Sequence, residues 1–498
     1  MNVNPITRLD YPDPDVIRVE DTYYMVSTTM HFMPGCEILQ SFDLVHWEHV
    51  TYVYETLDHT DAQQLKSGQN IYGQGMWAAS LRYHEGRFYI CFVANDTRKT
   101  YLYTSEKIDG PWKKQLIEGF YHDGSLLFDE DGRNYIVYGN DEIWITELNE
   151  DLTAPKKDGL HRLLVSDHKN PELGYEGSHI QKINGYYYIF LIHSLRDRWM
   201  RTEACFYSDS LEGEFTGGDV LCDDRGYCGQ GVAQGGIVDT PDGKWYAMLF
   251  QDSGAVGRIP ILVPVTWKDH FPVFGQNGHV PEEIEVHSTR PGYIYQPLVG
   301  SDDFCNGLLP RWQFNHDPDP QYYHLDALQG TYTITTREVC TELTQAVNTL
   351  TQRMSYPSCA AEVTVDASAL KEGDVAGLCA LQGCYAAVGI TKHHGKYEVL
   401  MLDKKEDGIL DMTEGTVVES HQMDFRLEAD FCNMKDEARC YYRVNKGDWL
   451  PIGTVHKLYF KLDHFTGCRF GLFCYAAEET GGSACFRDFK YYDVDEIS

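Results

Sequence analysis

The sequence predicts an all-β protein, a five-bladed β-propeller followed by a β-sandwich domain. Three observations carry that reading. One short pattern recurs five times in the first half of the chain, a second recurs at its own offset, and both stop near residue 290.

The first pattern begins at Asp13-Pro14-Asp15-Val16, Ala78-Ala79-Ser80-Leu81, Asp123-Gly124-Ser125-Leu126, Glu176-Gly177-Ser178-His179 and Gln234-Gly235-Gly236-Ile237. Each copy then reaches a turn and an aromatic pair or near-pair: Asp21-Thr22-Tyr23-Tyr24, Gly86-Arg87-Phe88-Tyr89, Gly132-Arg133-Asn134-Tyr135, Gly185-Tyr186-Tyr187-Tyr188 and Gly243-Lys244-Trp245-Tyr246. A strand, a turn that is mostly Gly-centred and a second, aromatic-rich strand make a hairpin. Hairpins repeated at spacings of 45 to 65 residues read as propeller blades.

The second pattern, a strand followed by Ser, an acidic turn and an aromatic, supplies outer strands. It appears at Leu39–Trp47, Tyr103–Trp112 and Phe206–Phe215. Together the two patterns predict five blades of about four strands, closing near residue 290. A tandem of hairpins in a sandwich is the competing arrangement, and five copies in one register disfavour it.

Past Thr289-Arg290-Pro291-Gly292 the repeat ends and short alternating strands with Gly turns continue, as in Phe470–Tyr475 and Ala484–Tyr491. Such a stretch reads as a β-sandwich. The expected domains are 1–295 and 296–498. Asp317-Pro318-Asp319-Pro320 reads as a rigid turn. No low-complexity linker separates the two parts, so firm packing between them is expected.

Composition narrows the function. Among 498 residues there are 75 Asp and Glu against 42 Lys and Arg, a formal charge of -33. That charge repels nucleic acid and anionic membranes, so neither is an expected partner. A small neutral partner such as an oligosaccharide suits it. No run approaches the roughly 18 apolar residues of a membrane span. The first residues carry neither a basic nor an apolar leader pattern. Fifteen scattered Cys without paired spacing read as reduced thiols, and no zinc site is expected. A cytoplasmic location follows as the expectation. The oligomeric state is left open, a homo-oligomer included. The 20 His show no metal spacing and read as surface or core residues.

Equivalent positions of the innermost propeller strands face one central axis, so the repeat gathers Asp13, Asp123 and Glu176 from distant sequence into one pocket. Ala78 and Gln234 at the same register show that the position does not itself demand an acid. Two carboxyls across a glycosidic bond, one activating water and one protonating the leaving oxygen, are the machinery of glycoside hydrolysis. A third carboxylate nearby raises the acid's pKa by like-charge repulsion. Trp77, one place before the register, is positioned to stack on a sugar ring. Arg258, in an apolar strand, needs a partner such as Asp13, Glu176 or sugar hydroxyls.

These residues together resemble glycoside hydrolase family 43, five-bladed propeller enzymes acting on xylose and arabinose linkages. Asn4-Pro5-Ile6 with Tyr11-Pro12-Asp13-Pro14-Asp15 is similar to the family's opening segment, Asp123-Gly124-Ser125-Leu126 to its DPSLF, and Glu176-Gly177-Ser178-His179 to its EGPH. Met76-Trp77-Ala78-Ala79-Ser80, Asp43-Leu44-Val45-His46-Trp47 and Gly257-Arg258 extend the likeness. The resemblance implies Asp13 as general base, Glu176 as general acid, Asp123 as modulator of the acid's pKa, and Arg258 as a contact to sugar hydroxyls. It further implies a concanavalin-like C-terminal sandwich and an exo-acting, inverting enzyme. Such an enzyme releases terminal pentoses, as a β-D-xylosidase and/or an α-L-arabinofuranosidase.

Three positions depart from the family pattern. Gln234 stands where the family carries an axial His, in some members beside a calcium or sodium ion; no cofactor is otherwise required, and such an ion is left open. Met30 replaces an aromatic residue, so Met30 and Phe32 are expected as an altered sugar-facing wall. Ser178 replaces a proline. Two alternatives remain, a non-catalytic carbohydrate-binding propeller and a retaining invertase-like glycosidase. No acid has been lost, against the first, and Leu9-Asp10-Tyr11-Pro12-Asp13 and His122-Asp123-Gly124 lack the second's motifs.

Overall fold

A computed structural model describes residues 2–493 of the chain. Its regular structure is strands and a few three-residue 3₁₀ turns, with no α-helix among the described residues. Accordingly no helix is long and apolar enough to cross a membrane.

Five four-stranded antiparallel sheets follow one another as blades. Their innermost strands are Asp15–Val19, Met76–His84, Ser125–Phe128, Glu176–Ile183 and Ile237–Asp239. The hairpins of the sequence pattern are present: His84 pairs with Arg87 across Glu85-Gly86, and Ile183 with Tyr186 across Asn184-Gly185. All four turn residues have positive φ, the backbone twist that a two-residue hairpin loop requires. The ring is tied by Asn2–Val3, which pairs with Glu283–Ile284 beyond the fifth blade. Apolar side chains from adjacent blades interleave, as Val26 and Ile38 do with Phe92 and Tyr101.

The rest of the chain forms two large antiparallel sheets. One contains seven strands, from Tyr323–Asp326 to Leu450–Lys457 in sheet order. The other contains nine and includes Val375–Leu381, Arg469–Tyr475 and Gln313–Asn315. Trp312, Leu350, Leu378, Val388, Phe425, Leu427, Phe470 and Phe486 belong to one buried core fed by both sheets. Trp312 keeps its indole N–H satisfied on Asp302, 2.8 Å away, as a buried indole must.

The nine-stranded sheet does not end within its own domain. Its last strand is Phe32–Met33, a segment of the first blade, paired through Phe314↔Met33 and Asn315↔Phe32. Beside this seam Arg353 meets Glu37 at 2.9 Å, with both side chains no more than 3% exposed, and its guanidinium covers the Tyr11 ring at 4.1 Å. Asp10 receives the N–H groups of Arg258 and Gly467, each at 2.7 Å, and so staples the fifth blade to a loop of the second domain. Burial pushes the Asp10 carboxyl up to about 6 despite those two donors. Asp317 is more than a turn residue: it is buried, receives His59 at 2.8 Å and donates its N–H to the Gln63 carbonyl. A shared sheet and buried charge pairs join the parts into one body, in line with firm packing.

All fifteen cysteines are free, most of them buried.

Candidate active site

The top of the propeller axis is shaped by backbone that leaves the strand path. Asp13, Asp123 and Gln234 have φ of 52°, 49° and 62°, just before the innermost strands of blades one, three and five. Blades two and four use register shifts instead, between Trp77 and Ser80 and between Glu176 and His179. Left-handed residues and β-bulges both re-aim side chains out of the ladder. Gly177, at φ 63°, completes the fourth bulge; a Cβ there would lie 2.7 Å from the Gln234 side chain, so the approach requires glycine.

The side chains thus turned converge on a cavity of about 170 Å³. Asp13, Trp77, His122, Asp123, Glu176, Arg201, Gln234 and Arg258 line it, with Leu173 and Trp199 at its side and Leu462 and Phe465 from the second domain. Arg258 donates from Nη1 to Asp13 Oδ1 at 2.6 Å, and its Nε lies 3.2 Å from Asp252. The Thr28 hydroxyl donates to the other Asp13 oxygen and itself receives the Ala78 N–H. Asp13 is therefore held from two sides. Asp123 accepts the Gly177 N–H at 2.9 Å, and Glu176 Oε2 accepts Asn140 Nδ2 at 2.8 Å. Phe465 packs its ring 3.7 Å from the Arg258 guanidinium and 5.1 Å from the Trp77 ring. Arg201 lies 3.0 Å from Asp252 through Nε, and its buried Nη1 has no hydrogen-bond partner.

The third cation is His122. Its Nε2 stands 3.5 Å from both Asp123 Oδ2 and Glu176 Oε2, an ion-pair distance shared between two carboxyls rather than a directed hydrogen bond. Burial opposes its charge, but Asp123, Glu176 and Asp13 outweigh that, and the imidazole is raised to about 9. Burial pushes Asp123 up to about 6, against His122 and with Glu176 and Asp13 adding to the rise. Burial also acts to raise Glu176, yet His122, Arg201 and Arg258 hold its carboxyl below the ordinary value. The like-charge repulsion expected between Asp123 and Glu176 is present, but on Glu176 the cations outweigh it. In the resting site the neighbouring cations dominate Glu176, and the raised carboxyl is Asp123.

The structure thus brings together Asp13, Asp123, Glu176, Trp77, Arg258 and Gln234. It does not bring Met30 or Phe32 to the cavity. Met30 is fully buried, bridged to Met76, with its sulfur 3.5 Å from Thr466 of the second domain. Phe32 lies in the shared sheet with Arg469 packed on its ring at 3.4 Å. Both build the seam between domains. His122, Arg201, Trp199 and Phe465 were not picked out from the sequence. The only signal for His122 is an ionisable residue directly before Asp123, and for Arg201 a charge at the start of a strand that also carries Glu203.

Beneath the pocket is a second cavity of about 10 Å³, lined by Asp13, Ser80, Asp123, Ser178, His179 and Gln234 among others. It admits one water-sized sphere. Asp13 is committed to Arg258 and Thr28, and Asp15 below it to Arg82, His179 and the Leu81 N–H. Calcium needs six to eight oxygen ligands at about 2.3–2.6 Å. These residues, with Gln234 above them, do not fit such an ion.

Comparison with known proteins identifies the family. Residues 3–272 match Glycosyl hydrolases family 43, and residues 301–492 match the Beta xylosidase C-terminal Concanavalin A-like domain. A protein named Beta-xylosidase from Formosa agariphila is 27% identical over 99% of this chain and 89% of its own. A solved structure, a bifunctional GH43-CE protein of Bacteroides eggerthii, is similar with a TM-score of 0.91 and 42% identity. That likeness covers 100% of this chain, which spans 64% of the length of the other. A second structure is a GH43 glycoside hydrolase engineered to display both endo-xylanase and exo-arabinofuranosidase activity. It has a TM-score of 0.88 at 27% identity, over 99% of each chain.

Proposed function

Because the chain belongs to glycoside hydrolase family 43, we propose that it is an exo-acting enzyme removing single terminal pentoses from short neutral oligosaccharides, as a β-D-xylosidase and/or α-L-arabinofuranosidase. The observation that carries this reading is the small size of the pocket. Its volume of about 170 Å³ is below the ~300 Å³ at which drug-sized sites begin, so it suits one ring rather than a chain. Leu462 and Phe465 of the second domain help close it. Three acids and three cations line it, Asp13, Asp123 and Glu176 against His122, Arg201 and Arg258, a balance suited to an uncharged sugar.

The chemistry follows from the placement of the carboxyls. Asp13, steadied by Arg258 and Thr28, takes a proton from the attacking water. Glu176, beside Asn140 and His122, gives a proton to the leaving oxygen. Trp77, braced by Phe465, offers an aromatic ring to the sugar, and the unpartnered Arg201 Nη1 offers a donor to a hydroxyl. Attack from the face opposite the leaving group inverts the anomeric centre. The free thiols support a reducing, cytoplasmic setting.

The test is hydrolysis of 4-nitrophenyl β-xyloside and α-arabinofuranoside side by side, with proton NMR of the first-formed anomer from xylo-oligosaccharides. Monosaccharide of inverted configuration is expected. A retained anomer would remove Asp13 from the base role, and internal fragments as first products from a long xylan would overturn the exo reading.

A further inference from the structure

We propose that His122 is a positioning residue that holds the acid's proton in reserve and returns it to Glu176 during turnover. The inference rests on the reading of Glu176 as the proton donor and says how that donor is kept loaded.

The geometry comes first. His122 Nε2 is equidistant, at 3.5 Å, from Glu176 Oε2 and Asp123 Oδ2, and polar side-chain atoms of the three residues lie within 4.8 Å of one another. Its Nε2 is buried without a directed hydrogen bond, so the proton there is not committed to either neighbour. The backbone is fixed by the Gly139 N–H donating to the His122 carbonyl. One side chain therefore bridges the acid and the third carboxyl.

The charges around it explain the direction of transfer. Asp123 lies beside it, Glu176 comes from the fourth blade, and Asp13 from the first adds to the pull. Arg201 and Arg258 face Glu176 from the fourth and fifth blades and favour its ionised form. The second blade contributes Trp77, and the second domain lines the pocket with uncharged Leu462 and Phe465. At rest the proton sits on the imidazole and Glu176 is a carboxylate. The imidazolium Nε2–H first passes to Glu176 Oε2, which leaves a neutral imidazole and a carboxylic acid, and as the glycosidic bond breaks Glu176 gives that proton to the leaving oxygen and is a carboxylate again. The imidazole ends neutral, Asp13 holds the proton of the attacking water, and exchange with solvent restores both. No charge is created in the pair during its own transfer, which spares the buried site an uncompensated ion.

The reserve has a consequence for pH. With His122 the site keeps its acid proton to about pH 9; without it, retention falls to the carboxyls, of which Asp123 lies near 6 beside the imidazolium and rises once that charge is gone. The experiment is kcat/KM on xylobiose and on 4-nitrophenyl β-xyloside for the parent, His122→Asn and His122→Gln. For xylobiose, the ratio of activity at pH 8 to that at pH 5 is expected to fall about 10- to 80-fold in the variants. The smaller figure applies if loss of the cation lets the carboxyls retain their proton to near pH 7. The nitrophenyl substrate, whose leaving group needs little protonation, should show a much smaller change. Equal losses at both pH values would overturn the proposal and leave His122 a packing residue.

A second measurement does not depend on turnover. NMR of imidazole-labelled parent, with the His122 signal assigned by its loss in His122→Gln, should show a charged ring at pH 7. Replacing Glu176→Gln should make the ring titrate lower. A ring neutral at pH 7, or one indifferent to Glu176→Gln, would also overturn it. An inactive parent enzyme would instead refute the proposed function, so the two failures are distinguishable.

Discussion

Replacing Phe465 should damage the sugar pocket although the residue belongs to the domain that holds none of the three acids. Phe465 is 3% exposed, with the Arg258 guanidinium over its ring at 3.7 Å and Trp77 edge-on at 5.1 Å. Removing the ring deprives Arg258 of a desolvated cation–π contact worth about 2 kcal/mol. It also removes an aromatic pair worth ~0.5–1.5 kcal/mol from Trp77. Arg258 orients Asp13, so a combined loss of about 3 kcal/mol should appear in transition-state binding, roughly 150-fold in kcat/KM. Phe465→Ala also empties buried volume, at about 3–5 kcal/mol of stability. Phe465→Leu separates the two effects. It keeps an apolar side chain, costing less than about 1.5 kcal/mol of stability, but has no π face, so kcat/KM should fall about 30-fold. Steady-state kinetics on both nitrophenyl glycosides, with thermal unfolding of the same preparations, reads the two quantities. A Leu variant with parental kcat/KM would refute the claim that this ring acts on the pocket through Arg258.

Two further perturbations test the site and its support. Glu176→Ala should lose ~10²–10⁴-fold on xylo-oligosaccharides and far less on nitrophenyl glycosides, whose leaving group departs with little protonation; equal losses on both would exclude the acid role. Asp10 has a folded pKa of about 6, raised from 3.8, so its contribution to stability is fully present below about pH 4 and lost as pH rises through 6. The parent's melting temperature should therefore decline over that interval relative to Asp10→Asn, which carries no ionisable group there. Parallel curves for the two proteins would show that Asp10 is not ionised at the expense of the domain seam.

Asp13, Asp123 and Glu176 were legible because a propeller repeats one local pattern, and the repeat carries register. Similar offsets from the hairpin turn bring each key residue to the axial start of its innermost strand, where left-handed residues and bulges turn the side chains into the pocket. Met30 and Phe32 misled for the converse reason. Sequence likeness puts them in a sugar-facing loop, but pairing with Gln313–Asn315, some 280 residues away, turns that loop into the edge of another sheet. No local signature announces such a contact. Phe465 lies in a stretch without strand periodicity, and its value depends on an arginine two hundred residues earlier.

The electrostatics divide in the same way. The sequence alone determined which blades carry carboxyls, because residue type and register are local properties. Which carboxyl holds a proton was decided by tertiary structure. Burial and the charges brought from other blades set that balance, and here His122, Arg201 and Arg258 depress Glu176 while Asp123 is raised. Coulomb energy depends on distance in space and on the water excluded between charges, and neither is written in the order of residues along the chain.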